Sequence, residues 1–92
     1  MKLWIVTQLN AVGYDCYDSF VVASETEEEA RNTHPNGDSL WDGKNWWYIY
    51  KQEKRFLLSS DSWTIPNEVR VEYLGETDRE IKGVVLASFN AG

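Results

Sequence analysis

"YDSFVVASETEEEARNTHP", Tyr17 to Pro35, is the stretch on which the fold turns. Apart from Asp18, its first eight residues are aromatic, β-branched or small, as in a strand. Thr26 then stands three residues before Glu29, a capping-box pattern, and Glu27, Glu28 and Glu29 suit the positive end of a helix dipole. Pro35 disfavours helix at His34, and "HPNGD" is dense in turn residues. The stretch therefore predicts a strand over 17–24 and a helix of barely two turns over 27–33, with Ala30 as its buried contact.

Everything around this helix reads as strand or turn. "KLWIVTQ", residues 2–8, is apolar on both faces, and "LNAVGYDC" supplies a hairpin loop into the strand that follows. "NGDSLWDGKN", 36–45, reads as a polar loop. "WWYIYK" is a strand, "QEKR" a turn, and "FLLSS" the next strand. "DSWTIPNE" is irregular, because Pro66 cannot donate to a ladder. "VRVEYLG", 69–75, alternates, with Val69, Val71 and Tyr73 on one side. "GVVLASF", 83–89, is an unbroken apolar run of the kind a central strand shows when both its faces are covered. Strands joined by short turns favour antiparallel pairing. The expectation is an α+β fold: one antiparallel sheet of four to five strands with one short helix packed on it.

Ninety-two residues make a single domain. A chain this short buries roughly 60–65% of its unfolded surface, so its core is thin. Aromatic residues make up 14% of it, and each ring can bury about 150–250 Å², which compensates for the small size. The formal net charge is −6, the wrong sign for general binding to DNA or RNA phosphates. The charge is uneven. Residues 1–43 hold two cations against eight acids, whereas residues 44–92 are balanced. Within the second part, "KNWWYIYKQEKR" (44–55) is locally basic, with Lys44, Lys51, Lys54 and Arg55 against Glu53.

No phosphate-binding glycine loop, zinc-protease helix or nucleophile-elbow motif occurs. Cys16 is the only cysteine, which excludes an intrachain disulfide, and one Cys with His34 is too little for a usual zinc site. That pair reads as a small semi-buried thiol and a turn histidine rather than as nucleophile and base. "ETEEEA" reads as helix-start electrostatics, and no cofactor is called for. The N-terminus lacks a signal or membrane-length apolar run. Beginning at Met1 and ending at "SFNAG", the chain reads as a complete small cytosolic gene product with no membrane partner.

The candidate site comes from the aromatic strand. Side chains alternate between faces, so Trp46, Tyr48 and Tyr50 share one and Trp47, Ile49 and Lys51 the other. Ile49 beside it makes Trp47 the expected core member. Trp46, Tyr48 and Tyr50 are then the expected binding face, extended by Trp41 and by the cations Lys51, Lys54 and Arg55. Tyr and Trp are enriched in interface hot spots. The acidic hairpin, with Tyr14, Asp15, Tyr17 and Asp18, is a second candidate contact.

"YDSFVVASETEEEARNTHPNG" and "VRVEYLGET…KGVVLASFNAG" together resemble short proteins encoded by tailed bacteriophages and prophages. The likeness spans roughly the first forty and last twenty-five residues and is weakest in the aromatic middle. It brings no catalytic residues. What it implies is a bacterial host cytosol and a role in binding and blocking host machinery, defence systems above all. The expected function is a non-enzymatic inhibitor of a host protein, with acidic side chains complementing a basic partner. Two alternatives stay open. One is sequestration of a nucleotide-type ligand, stacked on Trp or Tyr and held through phosphate by Lys51, Lys54 or Arg55. The other is a homo-oligomeric structural protein.

Overall fold

The computed structural model describes residues 1–9, 16–37, 39–51, 53–57 and 63–90. Its elements are β1 (Lys2–Gln8), β2 (Cys16–Ser24), α1 (Glu27–Arg31), β3 (Ser39–Trp41), β4 (Trp46–Tyr50), β5 (Glu53–Leu57), a 3-10 turn (Pro66–Glu68), β6 (Val69–Glu76) and β7 (Gly83–Asn90). The class is the expected α+β, with antiparallel strands and one short helix. The strands divide between two sheets, however. Four form one in the order β6-β1-β2-β7, and three form another in the order β3-β4-β5.

The division follows from residues 36–45, where the sequence suggests only a loop. Leu40 and Trp41 pair with Trp47 and Trp46, so the second half of that segment is β3. A bridge from Leu40 to Thr33 ties this strand to the end of the helix. The next strand also starts earlier than expected, at Glu53, because Lys51 turns the chain with a φ of 51°.

One face of the large sheet carries the core. Val6 lies opposite Phe20 on one side and Val71 on the other, and Trp4 opposite Val22. Val6, Phe20, Val22 and Val69 are buried there against Ala30 of the helix and against Trp46 and Trp63. α1 packs on β1, β2 and β6. β7 is not central. It pairs with β2 alone among the described residues, and Leu86 is 68% exposed. Its apolar run marks an edge strand with an uncovered outer face.

The helix ends at Arg31, two residues earlier than its sequence suggests. The Thr33 hydroxyl donates to the Glu29 carbonyl at 2.7 Å, and His34 is drawn into the core. Its start is as expected. Thr26 Oγ1 accepts the Glu29 N–H at 3.2 Å, and Ala30 is fully buried. Glu29 also receives Lys82 Nζ at 3.2 Å, which holds its carboxyl below the usual carboxylate range. Thr26→Ala should therefore cost about 1 kcal/mol by leaving that N–H without its cap. Urea denaturation measures this, and an unchanged midpoint would show that the cap contributes nothing.

Candidate binding surface

The small sheet is built around its first turn. Asp42 Oδ1 accepts the N–H groups of Lys44 at 2.8 Å and Asn45 at 2.7 Å, and the Asp42 N–H returns to the Asn45 carbonyl at 3.1 Å. Gly43 sits at φ 101°, a conformation that suits glycine. The other carboxylate oxygen of Asp42 accepts the Trp47 indole N–H at 2.7 Å. One aspartate thus closes the turn and fixes the orientation of a tryptophan.

Register sorts the aromatics into two faces. Trp41 lies opposite Trp46, and Ser39 opposite Tyr48. This face turns inward. Trp46 is 4% exposed, donates its indole N–H to the Thr64 carbonyl at 2.9 Å, and packs edge-on against His34 with ring centroids 5.1 Å apart. Trp41 leans on Trp46 at 5.2 Å. On the opposite face Leu40, Trp47 and Leu57 stand side by side across the three strands. Leu40 is 49% and Leu57 52% exposed, Trp47 is half-buried, and Ile49 continues the row along β4.

The two tryptophans point apart as strand geometry requires, but their assignment is reversed from the sequence reading. Trp46 belongs to the core and Trp47 to the surface. Packing shapes the interior site: Trp46 lies against His34 and Trp41 and donates its N–H to the Thr64 carbonyl, whereas Trp47 finds Asp42 at the rim. Tyr48, grouped with Trp46, is half-buried on the inner side.

Other expected contacts scatter. Tyr17 packs edge-on against His34 at 6.3 Å, on the core side, and accepts a hydrogen bond from Gln8 at its carbonyl. Asp18 accepts from the Ser88 hydroxyl at 3.3 Å. Lys51 is exposed at the turn after β4. Tyr14 and Asp15 lie outside the described residues, and so do the side chains of Tyr50, Lys54 and Arg55. Leu40, Leu57 and Asp42 were not singled out from sequence. The signal that marks them is Asp-Gly flanked by apolar residues, a strong short-range hairpin cue.

Two clefts border the helix. One, of about 240 Å³, is lined by Arg31, Asn32, Trp41 and Asn67. The other, of about 410 Å³, is lined by Glu28, Glu29, Leu40 and Lys82. Arg31 donates to the carbonyls of Pro66 and Val69, both at 3.1 Å, and Lys82 is paired with Glu29. His34 is 2% exposed, and its Nδ1 accepts the Asn36 N–H at 3.1 Å. Its Nε2 has no hydrogen-bond partner, and the Cys16 side chain lies outside the described residues. Burial pushes its pKa down to about 4. No group of three or more His, Cys, Asp or Glu able to hold a metal occurs among the described residues, and no helix there is long and apolar enough to cross a membrane.

No family model matches the chain, and no curated protein or solved structure matches it.

Proposed function

We propose that this chain is a non-enzymatic binding protein of the phage accessory kind. It docks through the outer face of its small sheet on a host bacterial protein in the cytosol and blocks it. The observation that carries this reading is the Leu40–Trp47–Leu57 row. Three apolar side chains stand in register on an open face, and the central tryptophan is already oriented by Asp42. An aromatic anchor fixed before binding loses little conformational freedom when it engages. The host context rests on the resemblance to phage-encoded proteins.

The nucleotide-binding alternative has less support. Trp41 and Trp46 pack against each other with their rings tilted by 59° and against the core rather than offering an open platform, and the described cations that line the clefts are engaged within the protein.

The test is capture from bacterial lysate by the tagged protein, with Trp47→Ser beside the unaltered chain. One host protein should be retained by the unaltered chain and lost with the variant, whose unfolding midpoint should stay close to normal. A hot-spot residue is worth about 2 kcal/mol or more, roughly a thirtyfold change in affinity. Equal capture by both chains would remove the small sheet as the site. A nucleotide panel should leave the melting temperature unchanged, whereas a true ligand at 100 times its dissociation constant adds about 2.7 kcal/mol.

A further inference from the structure

The apolar row of the small sheet does not stop at the sheet's edge. Leu40, its first member, also lines the cleft of about 410 Å³ beyond β3, where the bridge to Thr33 brings the end of α1 against the strand. Trp47 and Leu57 lie across the strands on one side of Leu40, and Glu28, Asn32 and Lys82 line the cleft on the other. The outer face and the cleft are thus one continuous surface, apolar on the sheet and polar beside the helix.

The donors in the cleft wall are turned to acceptors within the protein. Asn32 Nδ2 donates to the Glu28 carboxylate at 3.2 Å, the Thr33 hydroxyl to the Glu29 carbonyl at 2.7 Å, and the Ser39 hydroxyl to Asn36 at 3.0 Å. Lys82, the one cation among the described residues that line it, is paired with Glu29. Arg31, on the neighbouring cleft, is held by Glu27 at 3.5 Å and by the carbonyls of Pro66 and Val69. Glu28 is exposed and has no cationic partner among the described residues. An occupant therefore meets acceptors, the Glu28 carboxylate and the Asn32 amide oxygen one turn along the same helix face.

We propose, on the reading that a partner docks on the small sheet, that this cleft receives the guanidinium of an arginine on that partner. A planar fork of five donors suits two neighbouring acceptors better than an ammonium does. Its aliphatic stem passes over Leu40 and covers apolar surface there while the charge reaches Glu28. Long-range charge agrees. Residues 1–43, which supply α1 and β3, hold two cations against eight acids and draw a basic group to this side. The small sheet's own cations lie elsewhere: Lys44 and Lys51 are in the turns at the two ends of β4, and Lys54 and Arg55 are on β5, the strand farthest from β3.

The probe is N-acetylarginine amide, titrated into isotope-labelled protein at fixed ionic strength. The NMR signals of the Asn32, Gly37 and Gly83 amides, all in the cleft wall, are the reporters. They should shift saturably, and N-acetylcitrulline amide, of the same shape without the charge, should bind several-fold more weakly. Glu28→Gln keeps an acceptor for Asn32 and should weaken the arginine amide about threefold, the scale of an exposed ion pair. Glu25→Gln, at an exposed acid outside the cleft, should leave it unchanged. In lysate capture, Glu28→Gln should reduce retention of the same partner that Trp47→Ser loses. The titration reads the cleft whether or not Trp47 carries docking. Absence of a saturable shift, equal binding of the two amides, or equal weakening by Glu25→Gln and Glu28→Gln would overturn the proposal. So would full retention by Glu28→Gln of a partner that Trp47→Ser releases, a result that leaves the docking face itself standing.

Discussion

Trp46→Ala is expected to cost about 3–5 kcal/mol, while Trp47→Ala, one residue on, costs about 1 kcal/mol or less. Trp46 is 4% exposed, and its ring fills the space between His34 and Trp41 where the small sheet meets the large one. Truncation leaves a cavity that a β-sheet backbone cannot collapse to fill. It also strips the Thr64 carbonyl of its donor in a region with no solvent to replace it. A domain of this size holds only about 5–15 kcal/mol in total, so the variant should be largely unfolded near physiological temperature. Trp47 gives up one rim hydrogen bond to Asp42 and a half-exposed ring. Its loss should appear in binding. Urea denaturation of the two variants decides the matter, and equal destabilisation would mean that both faces of β4 are core.

That contrast shows which features the sequence made legible. The helix cap at Thr26, the buried Ala30 and the strands at 2–8, 17–24 and 69–75 are written in local chemistry, and the chain adopts them. The opposition of Trp46 and Trp47 is likewise a matter of strand period. Which of them faces inward is not local. It depends on contacts made across the fold, with His34, Trp41 and the Thr64 carbonyl, and Ile49 is a poor guide because it too lies on the outer face. β7 misled for a similar reason. An apolar run marks a strand that dislikes water on both faces, and a central position is one way to satisfy it, association another. His34 reads from sequence as a turn residue, and it does begin a turn, closed by the Gly37 N–H on its carbonyl at 3.0 Å. Its side chain nevertheless points into the core, which no residue next to a proline announces.

That buried histidine makes the fold sensitive to acid. Because Nδ1 accepts the Asn36 N–H, the neutral ring carries its hydrogen on Nε2, in a setting with no acceptor. Burial against Trp46 and Tyr17 imposes the cost of desolvating a cation, and this lowers the folded pKa to about 4 where the unfolded chain titrates at about 6.5. Between those values the unfolded chain holds a proton that the folded chain does not. Stability is therefore full above about pH 6.5, falls as the pH drops toward 4, and loses nothing further from this group below that. The gap corresponds to about 3 kcal/mol, a large fraction of the total. The Glu29 carboxyl, depressed by Lys82, also loses stability on acidification, but only below its unfolded value of 4.5, so the two effects occupy different windows. Unfolding midpoints at pH 7.5, 6, 5 and 4.5 should fall steadily for the unaltered chain. His34→Phe, which keeps an aromatic ring between Tyr17 and Trp46, should be flat down to about pH 5. A slope that survives His34→Phe would assign the acid sensitivity to other groups. Because His34 joins β2 of the large sheet to β4 of the small one, its protonation acts on the contact that holds the sheets together. The small sheet should loosen first, exposing Trp46 and with it the support beneath the Trp47 face.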